Sequence, residues 1–386
     1  MWNKLIRKYL GALQPRLNRL KIILVIAGKI PVETKNQING RVQFFFSKTY
    51  RVIVLPHLGY FSAIYNLLPF IKLFYGITKS TNYLNATFLW YNIDPIQNHS
   101  DGWVYHAIEL RIQPISQTEI DLNKKKFNHF IETLISSGKD KTYLFATGSS
   151  LKDAIHSDFN DGFVVLCNTI AKDKKLWHHL NPDIIVAGDA IYHYSNNAFA
   201  NAFREDLKKR LSESPTCVFI YPSLFHRFIQ REFREFEKQL IMIPMGTHEK
   251  IIYDLRQDFS LSKLGNVLNI LLLPIGSTLT KTICFWGFNG RAPEDKDFWK
   301  NSDDHFYNEE VNDIKKNHPA FFDHHVPKSN QSSYANTHHG DQLDNALSFG
   351  ESIGYRFEML HPTHTTALQK RYSPLNNTLR DRKNFT

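Results

Sequence analysis

The residues best suited to chemistry in this chain stand directly after short apolar runs. Thr142-Tyr-Leu-Phe-Ala-Thr147 is followed by Gly148-Ser149-Ser150, Phe163-Val-Val-Leu-Cys167 by Asn168, and Asp183-Ile-Ile-Val-Ala by Gly188-Asp189. Gly148, Ser149 and Ser150 offer backbone N–H groups and hydroxyls with almost no bulk, and a helix from about Lys152 would aim its positive end at the same place. Such a spot suits an anion such as a nucleotide phosphate. The two serines equally suit the cap of that helix. Asn168 carries both an amide donor and an acceptor for a ribose or a base, or simply forms a turn at a strand end. Asp189 could hold a ribose hydroxyl or orient a catalytic group, or cap the helix after Ala190.

Further along, Asp303-Asp304-His305, Asp323-His324-His325 and His338-His339-Gly340-Asp341 place three Asp/His clusters within about forty residues. Two chemistries fit them. Histidines with a near-neutral intrinsic pKa and an adjacent acid suit general base work, which makes His338 or His339, oriented by Asp341, a candidate. The same ligand types could hold zinc or manganese for a metal-dependent hydrolase or phosphatase. Ligands of such hydrolases usually emerge from several strand ends, whereas these crowd one region, and no His-x-x-x-His helix or cysteine pair accompanies them.

The elements that must position these residues alternate. Strands are expected at 142–147, 163–167, 183–187, 216–221, 240–244, 282–286 and 355–360, with helices near 172–179, 196–211, 223–238, 264–275 and 341–351. That rhythm predicts an α/β fold: a doubly wound, mostly parallel, Rossmann-like sheet covered on both faces. Residues 290–335 are polar, aromatic and His-rich with little periodicity, and read as a long lid loop. Residues 1–140 read as an additional N-terminal region, with a strand at Arg51–Leu55 and a helix-like apolar stretch at 61–75. Residues 141–370 form the main domain, and 371–386 a basic tail.

The chain of 386 residues, 42% hydrophobic with 29 Phe and 17 Tyr, is long enough for one large or two modest packed cores. Its formal charge of +10 is concentrated: Lys4, Arg7, Lys8, Arg16, Arg19, Lys21 and Lys29 lie in residues 1–32 without one acid. Leu5, Ile6, Leu10, Leu13, Leu17 and Leu20 recur among them at helical spacing, broken at Gly11 and Pro15. A basic amphipathic helix of this kind can lie on an anionic membrane surface or pack on its own domain. No run approaches the roughly 20 apolar residues of a membrane span. Cys167, Cys217 and Cys284 sit in apolar strands and read as buried thiols of a cytoplasmic protein, peripheral on the inner membrane if the basic helix binds lipid. No aromatic-basic strand motif points to nucleic acid.

In order and approximate spacing, four segments together resemble the bacterial CMP-sialic-acid sialyltransferases (glycosyltransferase family 42) and the related domain of motility-associated flagellin glycosyltransferases. These are Ala146-Thr-Gly-Ser-Ser-Leu151, Cys167-Asn168, Trp286-Gly-Phe-Asn289 and Tyr334-Ala-Asn-Thr-His-His-Gly-Asp341. Pro182-Asp-Ile-Ile-Val-Ala-Gly-Asp189 is similar to the Asp-ended strand of the flagellin relatives. The resemblance covers roughly residues 142–370. It implies transfer of a sialic-acid-like or other nonulosonic acid, Kdo included, from a CMP donor to a bacterial surface glycan or glycolipid, with no cofactor required. By the same resemblance Thr147, Gly148, Ser149, Ser150, Asn168, Gly287, Asn289, Arg291 and Tyr334 bind the donor, and His339 or His338 is the base. Asp189 becomes the nucleophile to test if the enzyme retains configuration. The pattern departs at Ala146, Thr147 and Ser149, where the family has Gly, Asn and Pro. Asn289-Gly-Arg291 stands where phosphate-holding tyrosines are expected, so Arg291 is assigned to the phosphate.

Overall fold

The computed structural model describes residues 22–26, 32–48, 51–55, 71–75, 89–90, 93, 95–96, 98–291, 303–324 and 341–374. The chain forms two compact units: residues 1–114 with 195–197 and 312–325, and residues 115–194 with 198–311 and 326–386.

The first unit holds a parallel sheet of four strands, β1 (Ile22–Ile26), β2 (Arg51–Leu55), β3 (Ile71–Tyr75) and β4 (Leu89–Trp90), in the order β2-β1-β3-β4. Ile22 pairs with Arg51 on one side and Ile71 on the other. The apolar end of the expected helix at 61–75 is therefore a strand: the short run Ile71-Lys-Leu-Phe-Tyr75 is ambiguous by periodicity, and sheet partners decide it. Parallel neighbours need a crossover, and the helix Val32–Phe46 lies between β1 and β2 in sequence. Its Ile38, Val42, Phe45 and Phe46 are buried at helical spacing, with Phe45 stacked on Tyr105 of the helix Asp101–Ile112 at 5.0 Å.

A polar cluster crosses this unit's core. Arg41 pairs with Asp101 and donates to the Asn317 carbonyl. His318 Nδ1 lies 3.0 Å from both Asp101 oxygens, and its Nε2 lies 2.9 Å from the Ser195 hydroxyl. A donor on Nδ1 leaves Nε2 to accept from Ser195, and burial holds the imidazole below its ordinary pKa. The order Ser-His-Asp is that of a nucleophilic triad. Yet Asp101 and His318 are fully buried and Ser195 is 1% exposed, so the group ties four distant segments together rather than meeting a substrate.

The second unit is built on seven parallel strands: β5 (Lys141–Phe145), β6 (Gly162–Cys167), β7 (Ile184–Val186), β8 (Val218–Pro222), β9 (Leu240–Ile243), β10 (Thr282–Trp286) and β11 (Arg356–Met359). Their order is β11-β10-β5-β6-β7-β8-β9. This is the expected doubly wound α/β sheet. β6 and β7 are buried at every residue, which is why they read as continuous apolar runs. Edge strand β9 is covered by the helix Gln117–Ile135, where Asn123 accepts the Met242 N–H at 2.8 Å. Ser116 and Glu119 start that helix with a reciprocal capping box. Cys167, Cys217 and Cys284 are free and buried.

The segment expected as an irregular lid contains short helices at Asp303–His305, Asn308–Glu310, Val311–Asn317 and Pro319–His324. Residues 292–302 and 325–340 lie outside the described residues, as do the basic segment 1–21 and the end of the tail from 375. Among the described residues no helix is long and apolar enough to cross a membrane.

Replacing His318 by Ala is expected to cost about 3 kcal/mol or more in urea unfolding, because it strips a partner from a buried ionic cluster. His318→Gln, which keeps part of the bonding, is expected to lose less.

Candidate functional site

Strands β5 to β9 run outward in one direction, while β10 and β11 lie on the other side of β5. The sheet order thus reverses between β5 and β10, and the C-terminal strand ends beside such a reversal are the usual ligand position in sheets of this kind. The candidate residues after β5, β6, β7 and β10 all stand at this edge.

The β5 and β10 loops touch. Ala146 N–H donates to the Trp286 carbonyl and Gly148 N–H to the Gly287 carbonyl, both at 2.9 Å, prolonging the ladder past the strands. Two glycines permit this. A Cβ on Gly148 would lie 2.3 Å from the Gly287 oxygen, and one on Gly287 would lie 1.9 Å from the Ala146 oxygen. Gly287 also has φ +80°, a conformation that costs L side chains energy.

Ser150 and Asn289 continue the junction. Asn289 Oδ1 accepts the Ser150 N–H at 3.0 Å and faces its hydroxyl at 2.9 Å. Trp286 Nε1 donates to the Ser150 carbonyl at 3.0 Å. The third partner is His361, after β11. Its Nε2 accepts the Gly287 N–H at 2.8 Å and lies 2.8 Å from the Ser150 hydroxyl. Its Nδ1 faces the Pro362 carbonyl at 2.8 Å, so the proton sits on Nδ1. Burial lowers the His361 pKa, consistent with a ring that must stay neutral to keep Gly287 bonded. The chain then returns along β10's loop: His364 N–H donates to the Asn289 carbonyl at 2.7 Å, and Thr363 Oγ1 to the Phe288 carbonyl at 2.5 Å.

The structure therefore brings Gly148, Ser150, Gly287 and Asn289 into one junction, with the N–H groups of Gly148 and Ser150 turned to the neighbouring loop. Ser149 opens the 3₁₀ helix Ser149–His156, which Gly148 precedes without a side-chain cap. Thr147 and Arg291 are buried in the same unit. Asn168 follows β6 directly, with φ +54°, a left-handed position that Asn tolerates well. Its Oδ1 is buried and takes no hydrogen bond from any described residue.

Asp189 ends β7. Its Oδ1 accepts the Ile191 and Tyr192 N–H groups at 2.8 and 2.9 Å, capping a four-residue helix. Its own N–H donates to His193 Nδ1 at 3.1 Å, and its carbonyl accepts from His193 N–H at 3.1 Å. Desolvation pushes the carboxyl up to about 6 despite the two N–H donors. Burial likewise pushes His193 down to about 3.

Tyr334, His338 and His339 lie outside the described residues. The Asp/His clusters are spread over both units. Asp304 and His305 belong to the second, where His305 Nε2 lies 3.1 Å from Asp173 and its carbonyl accepts from Thr169 Oγ1 at 2.5 Å. Asp323 belongs to the first. Among the described residues no group of three His, Cys, Asp or Glu is placed to hold a metal ion. Tyr307 is buried, bonds Asp206 at 2.8 Å and packs on Phe199, as Phe306 does, so both aromatics serve as anchors. Sequence reasoning missed His361. The signal was present: His361-Pro-Thr-His364 follows an apolar strand, as Asn168 and Asp189 do.

Comparison with protein-family models finds no match, and comparison with curated proteins finds none. Among solved structures, the sialyltransferase CstII from Campylobacter jejuni, in complex with a substrate analogue, cytidine-5'-monophosphate, aligns with 62% of this chain and 86% of its own. The identity is 13% and the TM-score 0.31, so any functional reading rests on the chain's own residues.

Two measurements test the site's energetics. Gly287→Ala is expected to destabilise the protein by about 2 kcal/mol or more in urea unfolding, from backbone strain and the clash with Ala146. For Asp189 the folded pKa lies above the ordinary 3.8, so the folded chain binds the extra proton between about pH 4 and 6. The benefit of that bound proton is lost as pH rises through 6, leaving the ionised carboxylate as a net cost. Asp189→Asn keeps the cap and removes the charge. It is expected to raise stability at pH 7.5 by on the order of 1–3 kcal/mol, and to change little at pH 4.

Proposed function

We propose that the seven-stranded unit is a glycosyltransferase that moves a sialic-acid-like or other nonulosonic acid, Kdo included, from its CMP donor to a bacterial surface glycan or glycolipid. One observation carries this reading. The candidate residues after four separate strands, Gly148–Ser150, Asn168, Asp189 and Gly287–Asn289, stand at one edge of a parallel sheet that reverses between β5 and β10. Fold alone would not suffice.

On this reading the closed β5–β10–β11 junction forms the floor of the nucleotide site. Asn168 supplies the unpaired amide oxygen to an amino or hydroxyl donor on the nucleoside. Ser149 and Thr147 contact the donor, and Arg291 balances phosphate charge as CMP leaves. Tyr334 is a further donor-binding residue. The base comes from His338, His339 or Asp189. These side chains supply the charge stabilisation the reaction needs, and no cofactor enters it. The basic segment that precedes β1, residues 1–21, rests on an anionic membrane surface at the cytoplasmic face, near a lipid-linked acceptor.

Thermal unfolding of the full chain with CMP, UMP, GDP, zinc or manganese, each with and without chelator, tests the proposal. Saturating CMP at about a hundred times its Kd is expected to add about 2.7 kcal/mol, a rise of several degrees, unchanged by chelator. Stabilisation by zinc or manganese with no response to CMP would overturn it in favour of a metal-dependent hydrolase.

A further inference from the structure

We infer that Asp189 is the general base of the transfer, taking the acceptor hydroxyl proton on Oδ2. The inference rests on the CMP-sugar reading and adds the residue that performs its proton transfer.

Asp189 is fixed by four hydrogen bonds. Its N–H and carbonyl are held by His193, and its Oδ1 by the Ile191 and Tyr192 N–H groups. His193 is itself anchored, its carbonyl accepting from Arg204 at 3.0 Å. None of these bonds engages Oδ2, which takes no hydrogen bond from any described residue. The carboxylate is thus held in one orientation with one oxygen uncommitted, as a catalytic group requires.

A structural cap does not need this arrangement. Asn or Ser would accept from the same N–H groups without bringing a charge into a half-buried position, and among the described residues no cation pairs with Asp189. The chain keeps an ionisable group where it is costly, a pattern found at functional sites. Its position fits the task. β7 lies two strands from β5, so Asp189 stands roughly 10 Å along the edge from the Gly148 loop. A nucleotide seated against Gly148 and Asn168 would extend its sugar in that direction.

Three of the histidines described in this unit hold structural bonds. His361 uses Nε2 on Gly287 and Nδ1 on Pro362, and His193 uses Nδ1 on Asp189 itself. His226 faces Tyr221 through Nδ1 at 3.1 Å. A carboxyl titrating near 6 is ionised at neutral pH yet more basic than an ordinary aspartate.

The step balances. The acceptor oxygen bonds the anomeric carbon of the sugar, and its proton passes to Asp189 Oδ2. The bond between that carbon and the phosphate oxygen breaks, and its electron pair leaves with CMP.

The test measures CMP release from CMP-N-acetylneuraminate and CMP-Kdo with water as acceptor, across pH 5 to 8, beside CMP thermal shifts. Wild type is expected to gain activity through a limb near pH 6. Asp189→Asn is expected to lose roughly a hundredfold or more in kcat and to lose that limb, while its CMP shift stays as in wild type. A His338→Ala, His339→Ala double variant is expected to retain the limb. Overturning results are an Asp189→Asn enzyme within about tenfold of wild type, loss of its CMP shift in step with activity, or loss of the limb in the histidine variant alone. A wild type that ignores CMP and releases none from either donor would remove the CMP-sugar reading, and this inference with it.

Discussion

Gly287 is the residue on which the ligand edge of the large sheet depends. Its carbonyl accepts from Gly148 after β5, and its N–H donates to His361 after β11. One peptide unit on either side of one Cα therefore joins three loops leaving three adjacent strands. The arrangement needs a residue with φ +80° and no Cβ, and a histidine that stays neutral. Ser150, Asn289 and Trp286 add to it, because each bonds across the space that the two glycines leave open.

That closed junction separates two kinds of residue at the sheet's edge. Gly148, Ser150, Gly287, Asn289 and His361 satisfy one another and hold shape. Asn168 and Asp189, beyond the ends of the next two strands, keep polar atoms without partners among the described residues. An unpaired buried amide oxygen and an uncompensated carboxylate each cost stability. They follow adjacent strands, beside the closed junction. The small unit shows the opposite treatment. Its Ser195, His318 and Asp101 have the geometry of a reactive set, but each is saturated and shut from solvent.

Much of the large sheet was legible because parallel strands buried on both faces read as largely apolar runs, with polar residues gathered where such a strand ends. Thr142–Thr147, Phe163–Cys167 and Asp183–Ala187 are of this kind, and the residues beyond them were found for that reason. Ile71–Tyr75 was not legible, since a short apolar run becomes strand or helix according to partners far away in sequence. Nor was the entry of Ser195–Asn197 into the other unit, which depends on His318 more than a hundred residues later. The short helices at 303–324 escaped because tertiary docking, such as Tyr307 on Asp206 and Phe199, orders them rather than an amphipathic period. His361 escaped because its partners, the Gly287 N–H and the Ser150 hydroxyl, lie far away in sequence and meet it only in the fold.

Binding of a nucleotide against the Gly287 junction is the central claim. Hydrogen–deuterium exchange of the full chain with and without saturating CMP tests it most directly. Slower exchange in segments 146–151, 166–169, 187–192, 287–291 and 361–365 is the predicted result. Protection confined to 303–324 or to the small unit, or no protection at all, would contradict it.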